Sequence, residues 1–332
     1  MEELLPEGIS RAPFDEALIK LREIVGSEWV FADPAGDLDS YKDAFSPLPE
    51  DQLKASAAVA PNSVEEIQAI VKLANEYGLS VSPISTGKNY AYGGPAPREN
   101  GAIVLDLKRM NRILEVNEES AYALLEPGVT YIQLYEYLQA NNIKLWIDCA
   151  APGWGGVVGN TMDRGAGYTP YGDHVVMQCG MEVVMADGSV IRTGMGAMEN
   201  SSSWQLFKYG YGPYLDGMFT QSNLGICTKM GVWLMPEPPG YRPFMITVPN
   251  EEDLYQLIET LRPLKINMVI PNAAFAVHML YEAGVQTQKN KYFSGKGPMP
   301  PSAMKRMGAD LGLGAWNVWG ALYGPPPIMD VQ

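Results

Sequence analysis

Residues 83–94 read PISTGKNYAYGG. The apolar run at 79–84 predicts a strand, and the small and polar residues after it predict a loop. Ser85, Thr86, Gly87, Lys88 and Asn89 come first, then Tyr90 and Tyr92, then Gly93 and Gly94. Glycines let backbone amides converge on one point, and such nests bind anions, a pyrophosphate among them. Ser85, Thr86 and Asn89 add side-chain donors, and Lys88 adds charge. An ordinary surface loop has the same composition, and a glycine-rich loop alone is a weak signal. No GxGxxG precedes a helix here, so a Rossmann dinucleotide site is not supported.

Upstream of the loop lies PNSVEEIQAIVKLANEYG, residues 61–78. Ser63 with Glu66 fits a capping box, in which each side chain satisfies a free amide at the helix start. Val64, Ile67, Ile70, Val71 and Ala74 follow at helical spacing, and Gly78 fits the left-handed stop. Strands at 55–60 and 102–105 complete a strand-helix-strand unit whose loop is inserted before the third strand. A helix is expected near 14–25 in the polar lead-in.

Downstream, 111–116 and 121–126 read as paired strands. Thr130 can cap a helix over 131–140, and 145–148 reads as a strand. Residues 181–185 and 189–193 flank Asp187-Gly188, a hairpin turn signal. The long apolar strand at 226–235 is closed by proline-rich residues 236–243, the best domain boundary. Beyond it a strand at 244–248, Asn250 as cap, a helix in EEDLYQLIETL and an apolar run at 316–322 begin a new unit. Ending there leaves a strand-helix pattern unfinished.

The composition narrows the function classes. The chain has 332 residues and 46% apolar content, enough for a sizeable core. Its formal charge of −14 repels a phosphate backbone, so general nucleic-acid binding is disfavoured. Three cysteines without short metal-ligand spacing suggest neither a disulfide framework nor a zinc site. The acidic start lacks an apolar core and no apolar run reaches membrane length, so neither a secretory signal nor a membrane helix is expected, and the default compartment is cytoplasmic.

A second glycine-rich segment, PGWGGVVGNTMDRGAGYTPYGDH, carries Gly153, Gly155, Gly156, Gly159, Gly165, Gly167 and Gly172. So many glycines with few charges suggest backbone lying close to a flat ligand or to other backbone. Arg164 is read as pairing with Asp163 or Asp173, and His174 as a hydrogen-bonded structural histidine ahead of a catalytic base. Together with GAIVLDLKRMNRILEVN, EPGVTYIQLYEYL, GMEVVMADGSVIRTGMGA and FTQSNLGICTKMGVWLMP, these stretches resemble the vanillyl-alcohol oxidase/4-cresol dehydrogenase flavoprotein family, on its 4-cresol dehydrogenase branch. The resemblance runs from about residue 55 to 238.

The resemblance implies an α+β fold: a PCMH-type FAD-binding domain of two α+β subdomains and the beginning of an α+β cap. The implied bounds are a lead-in at 1–50, the FAD domain at 51–240 (subdomains about 51–110 and 111–240) and a partial cap at 241–332. It implies that Ser85, Thr86, Gly87, Lys88, Asn89, Tyr90 and Gly93 cradle the FAD pyrophosphate. Gly155, Gly156, Gly159, Asn160, Arg164, Gly167 and Tyr168 would line the flavin and ribityl chain, and Gly225 and Ile226 the adenine end. The implied activity is FAD-dependent oxidation of 4-alkylphenols at the benzylic carbon through a quinone methide, with Tyr92 stabilising the phenolate and electrons passing to a c-type cytochrome. An oxygen-using oxidase of the eugenol or vanillyl-alcohol kind and a non-catalytic flavin-binding module are the alternatives. Tyr92 packed under its loop is the bland reading for that residue.

The aspartate base of the oxidase branch matches Ala151, which favours the dehydrogenase branch, while Asp148 reads as structural. Family members are longer. The chain is therefore expected to lack most of the cap, the residue that tethers the flavin, a second phenolate-binding pair and the last part of the FAD domain, and not to turn over alone. The family also implies a homo-oligomer, and it admits a periplasmic location.

Overall fold

The strand-helix-strand unit around the loop forms where its periodicity places it. The computed structural model describes residues 4–33, 36–46, 53–90, 92–149 and 152–332. Its first lobe runs α1 (Arg11–Val25), β1 (Val30–Phe31), β2 (Ala57–Val59), α2 (Val64–Tyr77), β3 (Val81–Ile84) and β4 (Ile103–Asp106). The strands lie in the order β1-β2-β4-β3, with β4 parallel to β2 and to β3. Every residue of β4 is buried, as a central parallel strand requires. Ile67, Ile70, Val71, Leu73 and Ala74 of α2 pack into one core with Phe14, Leu18 and Leu21 of α1 and with Ile103 and Leu105 of β4. Ser63 Oγ accepts from the Glu66 N–H at 3.1 Å. The Glu66 carboxylate accepts from the Asn62 N–H at 2.6 Å, one residue earlier than the expected box. Gly78 closes the helix at φ 67°, ψ 31°.

The second lobe contains β5 (Ile113–Asn117), β6 (Tyr122–Leu125), α3 (Tyr131–Ala140), β7 (Leu145–Trp146), α4 (Val157–Met162), α5 (His174–Met177), β8 (Gln178–Met185), β9 (Val190–Arg192), α6 (Asp216–Phe219), β10 (Gly225–Trp233) and β11 (Met235–Pro236). Its main sheet is antiparallel in the order β5-β6-β10-β8-β9. Thr130 Oγ1 caps α3 by accepting from the Gln133 N–H at 3.1 Å. Gly188 turns the β8–β9 hairpin at φ 80°. The single strand expected at 226–235 is divided. The Leu234 N–H donates to Ala121 at 2.8 Å and ends the β10 ladder, after which β11 pairs with β7. Gln68 Nε2 donates to the Gly188 carbonyl at 2.6 Å and Asn75 Nδ2 to the Ala186 carbonyl at 2.7 Å, so α2 fastens onto the hairpin turn. Val184 and Ile226 join the first lobe's core along the same seam.

The chain divides into two compact units, residues 1–167 with 173–236, and residues 168–172 with 237–332. The second unit holds β12 (Tyr241–Val248), α7 (Leu254–Ile266), β13 (Phe275–His278), α8 (Met279–Gln286), α9 (Pro301–Leu311), β14 (Trp316–Tyr323) and α10 (Pro326–Met329). Its sheet has the order β12-β14-β13. β12 starts at Tyr241 rather than at the expected 244 and takes in Pro243; it is an edge strand, where a missing N–H is tolerated. Asn250 and Asp253 form a full capping box before α7. The fold class is α+β, as expected. No helix among the described residues is long and apolar enough to cross a membrane.

Candidate functional site

The loop leaves β3 and turns at once. Gly87, Gly93 and Gly94 have φ of 67°, 103° and 52°, the left-handed region that glycine enters without strain. A Cβ on Gly93 would stand 2.2 Å from Arg98 Nη2, so the Arg98 guanidinium lies directly on the loop backbone. Arg98 also donates to the Ala96 carbonyl at 2.9 Å. It is a cation that the sequence reading missed, because nothing in PAPREN marks it. Lys88, the cation expected here, is exposed.

Asn89 Nδ2 donates to Asp163 Oδ2 at 2.6 Å and ties the loop to the second glycine-rich segment. Burial raises the Asp163 carboxyl above its ordinary value, and Arg98 pulls it partly back. Tyr90 stacks at 5.1 Å from Phe45 and its hydroxyl accepts from Trp154 Nε1 at 3.3 Å. Tyr92 is 77% exposed, so it does not pack under the loop.

The second segment meets the loop at Ser85. A Cβ on Gly156 would stand 1.9 Å from Ser85 Oγ, and one on Gly159 would stand 2.6 Å from Ser85 Cβ. Two glycines one helical turn apart thus form a notch that holds the serine. Ser85 Oγ donates to the Pro127 carbonyl, and Thr86 Cγ2 lies 3.2 Å from the Gly156 Cβ position. Upstream, the Tyr131 and Ile132 amides donate to Gly155 and Gly153 at 3.1 and 2.9 Å and lay this stretch along the start of α3.

His174 is buried and hydrogen-bonded on both ring nitrogens: Nε2 lies 2.7 Å from Asp148 Oδ1, and Nδ1 lies 2.5 Å from Asn160 Oδ1. That is the structural histidine expected. Arg164 differs from expectation. It has φ 55° and its Nε donates to Thr220 Oγ1 at 3.1 Å, while Asp163 is taken by Asn89 and Asp173 caps α5. Tyr168 belongs to the second unit, where its ring lies 5.4 Å from Trp319 and 6.0 Å from Phe275. Gly225 and Ile226 sit in register with Met185 and Val184 of β8, not on the loop. Ala151 lies outside the described residues. Among the described residues, no cluster of histidine, cysteine or carboxylate side chains is arranged to hold a metal ion.

The arrangement is a glycine-turned loop with a cation on its backbone, set against a second glycine-rich segment. Left-handed glycines turn the loop, Arg98 lies on its backbone, and Ser85 and Asn89 join it to the second glycine-rich segment. A cation on a glycine-rich loop suits an anionic ligand such as a diphosphate.

Residues 55–194 match a family model described as FAD binding domain. The chain is 46% identical over 331 residues to the 4-cresol dehydrogenase (hydroxylating) flavoprotein subunit of Pseudomonas putida, covering 99% of this chain and 63% of that protein. A crystal structure of p-cresol methylhydroxylase with substrate bound matches with a TM-score of 0.96 and 46% identity, over 99% of this chain and 64% of the other. The 4-ethylphenol oxidase of Gulosibacter chungangensis, in an isoeugenol complex, matches with a TM-score of 0.96 and 44% identity, over 98% and 63%. The chain spans about 63% of the length of the curated relative.

Proposed function

We propose that the chain, whose residues 55–194 match an FAD-binding-domain model and which is 46% identical to a 4-cresol dehydrogenase flavoprotein subunit, is the flavin-binding part of an enzyme that oxidises 4-alkylphenols. The supporting observation is the meeting of two glycine-rich segments at Ser85, in a notch that a single Cβ would fill.

In this reading Ser85, Thr86, Gly87, Lys88, Asn89, Tyr90 and Gly93, with Arg98 behind them, hold the pyrophosphate. Gly155, Gly156, Gly159, Asn160 and Gly167 give the ribityl chain and ring a backbone surface. Arg164 and Tyr168 belong to the same segment, and Gly225 and Ile226 serve the adenine end. Residues 51–240 are the FAD domain and 241–332 the start of the cap. The covalent tether lies in the part of the relatives' length that this chain does not span.

When bound, FAD supplies the acceptor for a hydride leaving the benzylic carbon, and the resulting quinone methide is hydrated by water. The Tyr92 hydroxyl donates to the phenolate oxygen; a donor aimed at developing or resident oxyanion charge is the main electrostatic need. Its exposure leaves it reachable by a substrate. The dehydrogenase name of the 46%-identical relative favours a protein electron acceptor, which we take to be a c-type cytochrome. The match to 4-ethylphenol oxidase favours a second reading, with oxygen as acceptor.

The purified protein mixed with FAD is expected to turn yellow and to quench flavin fluorescence; a protein that stays colourless after reconstitution overturns the proposal. In the protein at its relatives' full length, Tyr92→Phe should lower kcat/KM for 4-alkylphenols by about 10²-fold at unchanged flavin content. Stopped-flow mixing of the reduced protein with air separates the acceptors, since fast reoxidation excludes the cytochrome reading.

A further inference from the structure

Behind the glycine-rich segment, three elements converge on one imidazole. Asp148 follows β7, Asn160 lies in α4, and His174 opens α5. His174 and Asp148 are 6% and 4% exposed, so neither exchanges its partner for water at low cost. The Tyr131 hydroxyl also stands 3.3 Å from His174 Nδ1.

The turn that follows α4 rests on this chain at both ends. A Cβ on Gly165 would stand 2.1 Å from Asn160 Oδ1. One on Gly167 would stand 1.3 Å from Asp148 Oδ1 and 2.9 Å from His174 Nε2. The backbone at 165–167 therefore takes its course from the polar groups beneath it. Removing the imidazole would take a partner from the carboxylate and from the amide at once. The diphosphate loop has its own anchors, Ser85 on Pro127 and Gly93 under Arg98, and shares one tie, Asn89 on Asp163, with the segment that carries Asn160.

We propose that His174 is a positioning residue: clamped by Asp148 and holding Asn160, it fixes the 165–167 turn on which the ring end of the cofactor rests. This inference rests on the FAD reading above. It makes the two ends of FAD separable. His174 governs the ring end and leaves the adenosine-diphosphate end alone.

The test compares FAD with ADP, which carries only the diphosphate end, on wild type, His174→Ala and Asp148→Asn. Affinities come from flavin fluorescence quenching and titration calorimetry. FAD affinity is expected to fall about ten- to a hundredfold, the loss that unpairing buried polar groups brings. The bound flavin's visible band should lose its vibronic structure, and free imidazole should restore it in His174→Ala. ADP affinity should stay within about twofold, since Ser85 on Pro127 and Arg98 on Gly93 hold its loop without the imidazole. Asp148→Asn keeps the side-chain shape and decides the matter if His174→Ala does not fold. Parallel loss of FAD and ADP binding would make His174 a general structural residue and overturn the proposal, as would unchanged FAD affinity. A wild-type protein that binds ADP but not FAD, or binds neither, overturns the FAD reading itself and this inference with it.

Discussion

Gly159→Ala puts the notch at Ser85 under direct strain. The new Cβ would stand 2.6 Å from Ser85 Cβ and 3.1 Å from Ser85 Oγ. Carbon atoms settle about 3.5–4.0 Å apart, so roughly 1 Å must be found between two atoms anchored to backbone. Overpacking of this kind costs about 1–3 kcal/mol. Gly159 lies inside α4, where alanine gains about 1 kcal/mol over glycine. The single variant should therefore fall between neutral and about 2 kcal/mol less stable. In a Ser85→Gly background the nearest remaining atom is the residue 85 Cα, at 3.9 Å. There the steric cost vanishes and Gly159→Ala should stabilise by about 1 kcal/mol. The coupling in the double-mutant cycle equals the steric cost alone, about 1–3 kcal/mol. Urea denaturation of the four proteins measures it. Additivity within about 0.5 kcal/mol would show that Ser85 does not occupy the notch and would refute the argument.

Three further outcomes are expected. Glu126 has a fully buried side chain that accepts from the Arg112 backbone at 2.8 Å, from Nε at 3.0 Å and from Nη2 at 2.5 Å. Arg112→Ala should cost about 1–3 kcal/mol by removing two of the three donors to a buried carboxylate whose partner side chain is itself 65% exposed, and adding Glu126→Gln should recover part of it in the same denaturation assay. Burial would by itself raise the Glu182 carboxyl, but Lys229 at 2.8 Å and Arg192 at 2.9 Å hold it below its ordinary value. Its contribution is thus full above the unfolded value of 4.5 and is lost as pH falls through the lower folded value. Glu182→Gln should flatten that acid-side decline of Tm. Burial pushes the Cys149 thiol up to about 11, with Asp148 adding to it, and the Cys179 thiol up to about 12; Cys227 goes higher still. Iodoacetamide at neutral pH should label half-buried Cys149 slowly and the other two only after unfolding; mass spectrometry showing early Cys227 labelling would contradict this.

The elements legible in the sequence are those whose determinants lie within one or two turns. The apolar spacing of α2, Thr130 three residues before Gln133 and the Asp187-Gly188 turn are local signals, and the chain obeys them. The helices α4, α5 and α6 are six, four and four residues long, too short for any periodicity to declare them. They exist because long-range contacts hold them. The division of the strand at Leu234 depends on Ala121, more than a hundred residues away, and on β7 as a new partner. At the site the glycines announced close approach but not what approaches: Ser85 fills one notch, and Asn160, Asp148 and His174 fill the space beneath the next turn. His174 is 26 residues from Asp148 and 14 from Asn160. Arg98 was missed for a similar reason, since its place is fixed by the missing side chain of Gly93. The expected pairing of Arg164 gives way to a bond to Thr220, 56 residues away, which sequence adjacency does not reveal.

Gln68 and Asn75, which fasten α2 to the β8–β9 turn, are both uncharged. The two bonds they make neither titrate nor carry charge, although Lys72 of the same helix packs on Gly188 beside Asp187. The remainder of the molecule carries a formal charge of −14, and that field does depend on ionic strength. Salt should therefore change how quickly an anionic dinucleotide arrives, by weakening the repulsion it meets. It should leave the Gln68 and Asn75 bonds as they are, so arrival rate and this fastening answer to different experimental controls.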